Sequence, residues 1–170
     1  MGKDSSWEFK IFGPFRIKRT KEGNPIQKNA LTSIFEDEAK GLGEQIGCYI
    51  FGKRASQGIT PWYVGQTTKC FKGEIATPAN IVKYNNTYNR AHQHGTPVMF
   101  FLAHPRKKGP NNKNFIGQLE RYLIQRAYEK NPKVENKQGI FDPDWRIGGF
   151  FGKGKASSKE VKAFKSLMGW

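Results

Sequence analysis

Apolar and polar positions along the chain follow two periods, one of two residues and one of about 3.6. Near the N-terminus the alternation is strict, as Trp7-Glu8-Phe9-Lys10-Ile11 and again as Phe15-Arg16-Ile17-Lys18, broken at Gly13-Pro14 and at Glu22-Gly23-Asn24-Pro25. That pattern predicts a two-stranded extension. Leu31, Ile34, Phe35 and Ala39 then recur at helical spacing, with Thr32, Glu36, Asp37 and Glu38 on the wet side. A short helix over 31–40 is expected, ending near Gly41-Leu42-Gly43. Ile46 to Phe51 and Pro61 to Val64 read as two short strands of a hairpin whose long tip, Gly52 to Thr60, is polar and partly basic. Pro61 has no N–H for a ladder, which places it at a strand start or a sheet edge.

The segment 66–92 is mostly polar and is expected to form short helices broken at Gly73 and Pro78. Pro97 to Leu102 is an unbroken apolar run between Gly95 and His104-Pro105, the pattern of a central strand covered on both faces. Beyond a basic loop, Phe115, Ile116, Leu119, Tyr122, Leu123 and Ala127 mark the clearest helix, with Asn114 as its expected cap. Ser157 and Glu160 form a capping-box pattern that starts a last short helix. Together these elements predict an α/β domain: a small three-stranded mixed sheet flanked by helices, with N-terminal strands appended. The expected division is an extension over 1–42, the main domain over 43–150 and a basic tail over 151–170.

A chain of 170 residues, 36% hydrophobic and 14% aromatic, fits a single core. Its longest apolar run, Val98 to Ala103, is far shorter than a bilayer crossing, and no apolar signal segment follows Met1-Gly2-Lys3-Asp4. A soluble, cytoplasmic protein without a membrane partner is expected. Cys48 and Cys70 sit in no CxxC pair and at no metal-ligand spacing; Cys48, inside an apolar run, reads as a small buried hydrophobe. Charge changes the picture most. The 29 Lys and Arg outnumber 14 Asp and Glu, for a net +15 and a pI near 9.9. A surface so positive attracts polyanions and releases their counterions. No strongly amphipathic basic helix with aromatics to insert points to anionic lipid instead. Nucleic acid is the expected partner.

The candidate chemistry lies in the hairpin. Tyr49 and Tyr63 fall on adjacent antiparallel strands, each one step from a glycine, so two phenols come close on one sheet surface; Gly47 and Gly65 let backbone or substrate approach. Glu120 lies at the flank of the long helix, where a carboxylate reaches the sheet rim and suits a hard divalent cation.

With Gly47-Cys48-Tyr49 in place of a first triplet, Tyr63-Val64-Gly65 in place of a second, and Gln66-Thr67 following, the chain resembles the GIY-YIG nuclease family from Ile46 to the helix bearing Glu120. The resemblance implies metal-dependent hydrolysis of phosphodiester bonds in DNA. By carry-over Glu120 binds Mg²⁺ or Mn²⁺, Tyr49 helps deprotonate the attacking water or is itself the base, and Tyr63 orients the scissile phosphate. The chain departs from the family's pattern where an arginine is usual on the helix after the second triplet. Lys69 and Lys72 stand in that stretch, and Arg90 follows much later, with His94 four residues on. Lys72 is the first substitute and Arg90 the second, although a lysine offers a point charge rather than a two-pronged fork. Cutting both strands with one site per chain favours a homodimer.

Arg106-Lys107-Lys108 is the expected phosphate-contact patch, and Lys53, Arg54, Lys69 and Lys83 are further nucleic-acid-binding candidates. Each residue also has an ordinary reading: strand tyrosines as packing residues, Glu120 as a solvated helix position, the lysines and arginines as surface charge. Two functions follow from these alternatives. One is a metal-dependent endonuclease; the other is a noncatalytic nucleic-acid-binding protein that keeps the same fold.

Overall fold

A computed structural model describes residues 8–19, 21, 24–56, 58–90, 95–105, 109, 112–141 and 158–169. In chain order they form strand β1 (Lys10–Arg16), helix α1 (Lys28–Asp37), a 3-10 turn (Leu42–Glu44), strands β2 (Gly47–Ala55) and β3 (Gly58–Thr67), helices α2 (Phe71–Ile75) and α3 (Pro78–Arg90), strand β4 (Thr96–Ala103), and helices α4 (Asn112–Lys130) and α5 (Lys159–Met168). The chain divides into two compact units, Met1–Ile140 and Phe141–Trp170.

The combination of helices with a sheet matches expectation, but the sheet itself differs. It has four strands in the order β1-β4-β2-β3, and every neighbouring pair is antiparallel. The expected three-stranded mixed sheet is therefore corrected. The crossover through α2 and α3 returns the chain so that β4 runs antiparallel to β2, and β1 adds to the other side of β4. The N-terminal alternation yields one strand rather than two. Gly13-Pro14 produces a register shift between Phe12 and Phe15 instead of a turn, so both apolar runs pair with β4.

Because side chains alternate across a strand, the sheet carries two different faces. Tyr49, Phe51, Tyr63, Met99 and Phe101 pack with Leu31, Ile34 and Phe35 of α1, Phe71 and Ile75 of α2, and Tyr84 of α3 in the main core. On the opposite face Cys48 packs with Ile116, and Val64 with Ile124 and Ala127, all from α4. The result is three layers with the sheet in the middle.

Local signals shift by a few residues. The first helix spans 28–37 rather than 31–40, and α4 starts at Asn112, ahead of the expected cap at Asn114. Gly73 lies within α2 instead of breaking it, and Pro78 opens α3, where its missing N–H is harmless; Thr77 Oγ1 accepts from Asn80 N at 3.3 Å. Pro61 sits inside β3 rather than at its start. It is tolerated there because β3 is the sheet's outer strand and the register shifts beside it, from Phe51 opposite Tyr63 to Gly52 opposite Pro61. In the second unit, Ser158 caps α5, accepting from Val161 N at 3.3 Å, and the expected cap, Ser157, lies outside the described residues. No helix among the described residues is long and apolar enough to cross a membrane.

Candidate active site

Pairing of β2 with β3 sets Tyr49 opposite Gly65 and Phe51 opposite Tyr63. Both tyrosines point to the face covered by α1 to α3, with ring centroids 6.2 Å apart. Gly65 makes room for this: a Cβ there would lie 2.4 Å from Tyr49 Cζ and Oη. Tyr84 completes the group, stacked on Phe51 at 4.8 Å and edge-on to Tyr63 at 6.0 Å.

Tyr49 is fully buried, and its Oη accepts a hydrogen bond from Asn80 Nδ2 at 3.0 Å. The same nitrogen donates to the Glu74 carbonyl at 2.9 Å and to Glu74 Oε1 at 3.2 Å. Burial pushes the Tyr49 phenol far above the usual tyrosine range, and Tyr84, Tyr63 and Glu74 push it further the same way. Tyr49 is thus a neutral phenol inside the core. The base role implied by the resemblance does not suit this geometry, because a phenolate there would lack solvation.

That burial has a measurable consequence. Tyr84 is also raised, by burial first. Above pH ~10 an unfolded chain loses these protons while the folded one keeps them, so stability falls as pH rises, by about 1.4 kcal/mol per pH unit for each phenol. Below pH ~10 the contribution is fully present. Urea unfolding across the alkaline range should show this decline, and Tyr49→Phe should flatten it. An unchanged slope in that variant would refute the assignment.

The accessible chemistry lies at the outer edge of β3, where α3 overhangs one face and α4 the other. A cleft of about 690 Å³ opens there, lined by Tyr63, Gln66, Lys83 of α3, and Gly117, Glu120 and Arg121 of α4. Lys83 Nζ donates to Tyr63 Oη at 3.3 Å and stands 5.0 Å from the centroid of its ring. Desolvation raises the Glu120 carboxyl above the ordinary carboxylate range, with Arg121 opposing. The segment after α4 covers the free edge of β3: Asn131 Nδ2 donates to Pro61 O and Glu135 N to Trp62 O, both at 2.8 Å. Asn136 clamps Val64 from both sides, accepting from its N–H at 3.2 Å and donating to its carbonyl. These bonds satisfy an edge that would otherwise be open, and they bring Glu135 and Asn136 to the cleft wall.

The donors around the cleft suit a hard cation. Glu120 and Glu135 supply carboxylates, and Gln66, on the same wall, has a buried Oε1 without a hydrogen-bond partner. Among the described residues no three His, Cys, Asp or Glu side chains cluster. A Mg²⁺ ion needs only one or two carboxylates and keeps several waters, so the donor set fits it.

The remaining candidates lie elsewhere. Lys72 pairs with Glu36 at 3.8 Å and does not line the cleft. Arg90 closes α3. Lys53 and Arg54 sit near the hairpin tip, opposite Thr60 and Ile59, and burial lowers the Lys53 pKa. Lys69 lines a smaller cleft with Lys113. Arg106, Lys107, Lys108 and His94 lie outside the described residues. Sequence reasoning passed over Arg121, Asn80 and Asn136. Arg121 was signalled only by its place beside Glu120, whereas the two asparagines act on strands 31 and 72 positions away and leave no local trace.

Compared with protein-family models, curated proteins and solved structures, the chain has no match.

Proposed function

We propose that this chain is a metal-dependent endonuclease of the GIY-YIG type that hydrolyses phosphodiester bonds in DNA. The observation that carries the reading is the convergence of Tyr63, Lys83, Glu120 and Arg121 on one cleft. A net charge of +15 supports a polyanionic substrate. Glu120 holds the divalent ion, which when bound supplies Lewis acidity and a more acidic water. Arg121 offers a planar fork and Lys83 a point charge, two cations suited to the extra negative charge of a phosphate under attack. Tyr63, fixed by Lys83, orients the phosphate, and Tyr49 supports Tyr63 from the core as a neutral phenol.

A noncatalytic nucleic-acid-binding role is the second reading. It is favoured by the burial of Tyr49 and by the turning of Lys72 toward Glu36. A supercoiled-plasmid assay separates the two. The endonuclease reading expects nicking with Mg²⁺ or Mn²⁺ that stops when the ion is chelated. A mobility shift of the plasmid without nicking, across both ions, would overturn it in favour of binding alone.

A further inference from the structure

Next to the main cleft lies a smaller one of about 250 Å³, and the two share Gln66. Helix α4 contributes to both from a single face: Lys113 to the smaller, Gly117, Glu120 and Arg121 to the larger, at spacings of four, seven and eight residues from Lys113. Lys69 and Lys113 both line the smaller cleft, and neither ammonium has a salt-bridge partner among the described residues. Glu74 also lines it, but its Oε1 is already engaged by Asn80. From Lys113 to Arg121 the helix rises about 12 Å, room for roughly three nucleotides at the 3.4 Å axial spacing of one duplex strand.

Gly117, between these charges, is an independent pointer to an occupant. Glycine in a helix interior is unfavourable relative to alanine. No packing requires it here, since a Cβ at Gly117 would meet nothing within 4 Å. A bare backbone position, over open space and flanked by cations, suits close approach by a ligand.

We infer that the two clefts form one groove that tracks the backbone of a DNA strand, with Gly117 as its floor, Lys69 and Lys113 as a phosphate subsite beside the Glu120 centre, and Gln66 at the junction. This inference rests on the proposed reading for its substrate class, but its test does not depend on cleavage. Binding of a fluorescein-labelled duplex oligonucleotide would be followed by anisotropy in chelator over a series of salt concentrations. Lys69→Ala and Lys113→Ala should each lower the slope of log affinity against log salt by about 0.9. Lys40→Ala, at an exposed lysine that lines neither cleft, should not. Gly117→Leu should leave thermal stability equal or higher while weakening binding at least tenfold, with the salt slope kept. Native affinity in Gly117→Leu, or equal slope losses for all three lysines, would overturn the groove. Groove binding without plasmid nicking would sink the endonuclease reading and leave the groove standing; full nicking by Gly117→Leu and the two lysine variants would do the reverse.

Discussion

Replacing Gly47 with alanine is expected to destabilise the protein by about 4 kcal/mol, a large share of a typical total of roughly 5–15 kcal/mol. Two costs combine. The backbone there has φ +147°, outside the range that residues with a Cβ adopt readily, which costs roughly 1–3 kcal/mol. The added Cβ would also lie 2.0 Å from the Leu102 carbonyl oxygen and 3.2 Å from His104 N, both backbone atoms of the neighbouring chain segment. Neither can move freely, since His104 N donates to Ile46 O at 2.8 Å and Gly47 pairs with Ala103. Overlap of this kind adds roughly 1–3 kcal/mol. Gly41→Ala isolates the conformational part, because Gly41 has φ +81° but nothing within 4 Å of its would-be Cβ. Urea melts of both variants should show Gly41→Ala losing much less than Gly47→Ala. Equal losses would mean that the close approach of β2 to β4 is not what requires glycine.

Gly47 also illustrates how much could be read in advance. The hairpin and α4 were legible because alternation and i, i+3, i+4 spacing are local properties of the chain, but the long tip expected over 52–60 is not formed: the two strands pair on to Ala55 opposite Gly58. A glycine in the first triplet was legible too, but its reason is not local: the atom it avoids is on β4. A strand at the N-terminus was expected, but that it is a single strand joining the sheet beside β4 escaped for the same cause. Gly13-Pro14 reads as a turn until β4 is present to pair with both sides of it. At the site, linear proximity favoured Lys72, only nine residues after Tyr63. The short helix α2 carries it instead toward Glu36, while the next helix, α3, lies along β3 and brings Lys83 to Tyr63. Tyr49 was legible as a residue of interest and not as a buried one, because its cover comes from Asn80 and Tyr84 more than 30 residues away.

The edge position of β3 explains why these groups meet. An interior strand is flanked on both sides, so helices on opposite faces cannot share a cleft across it. At the outer strand, α3 and α4 overhang from the two faces, and groups from both can converge around the edge. Tyr63 and Gln66, three positions apart on one strand and thus on opposite faces, both reach the same cleft. The cost of such a site is an open ladder of backbone groups, and the residues 131–136 that close it also form its wall.

If Lys83 and Glu120 serve one reaction, Lys83→Met and Glu120→Gln should each slow plasmid nicking by roughly 10²–10³-fold under single-turnover conditions. Methionine is unbranched like lysine and one atom shorter, removing the cation that stands 5.0 Å from the Tyr63 ring centroid, and glutamine keeps the shape of Glu120, so stability should change little. The two losses should not multiply. Groups that act on the same transition state are strongly non-additive, and the double variant should be about as slow as the slower single one. Lys83→Arg restores a cation with a different hydrogen-bonding shape and should recover part of the rate. Lys72→Ala distinguishes the two lysines, since a residue paired with Glu36 outside the cleft should leave nicking at the native rate. A full rate in Lys83→Met together with loss in Lys72→Ala would return the phosphate-neutralising role to α2, and would require Lys72 to leave Glu36 when DNA binds.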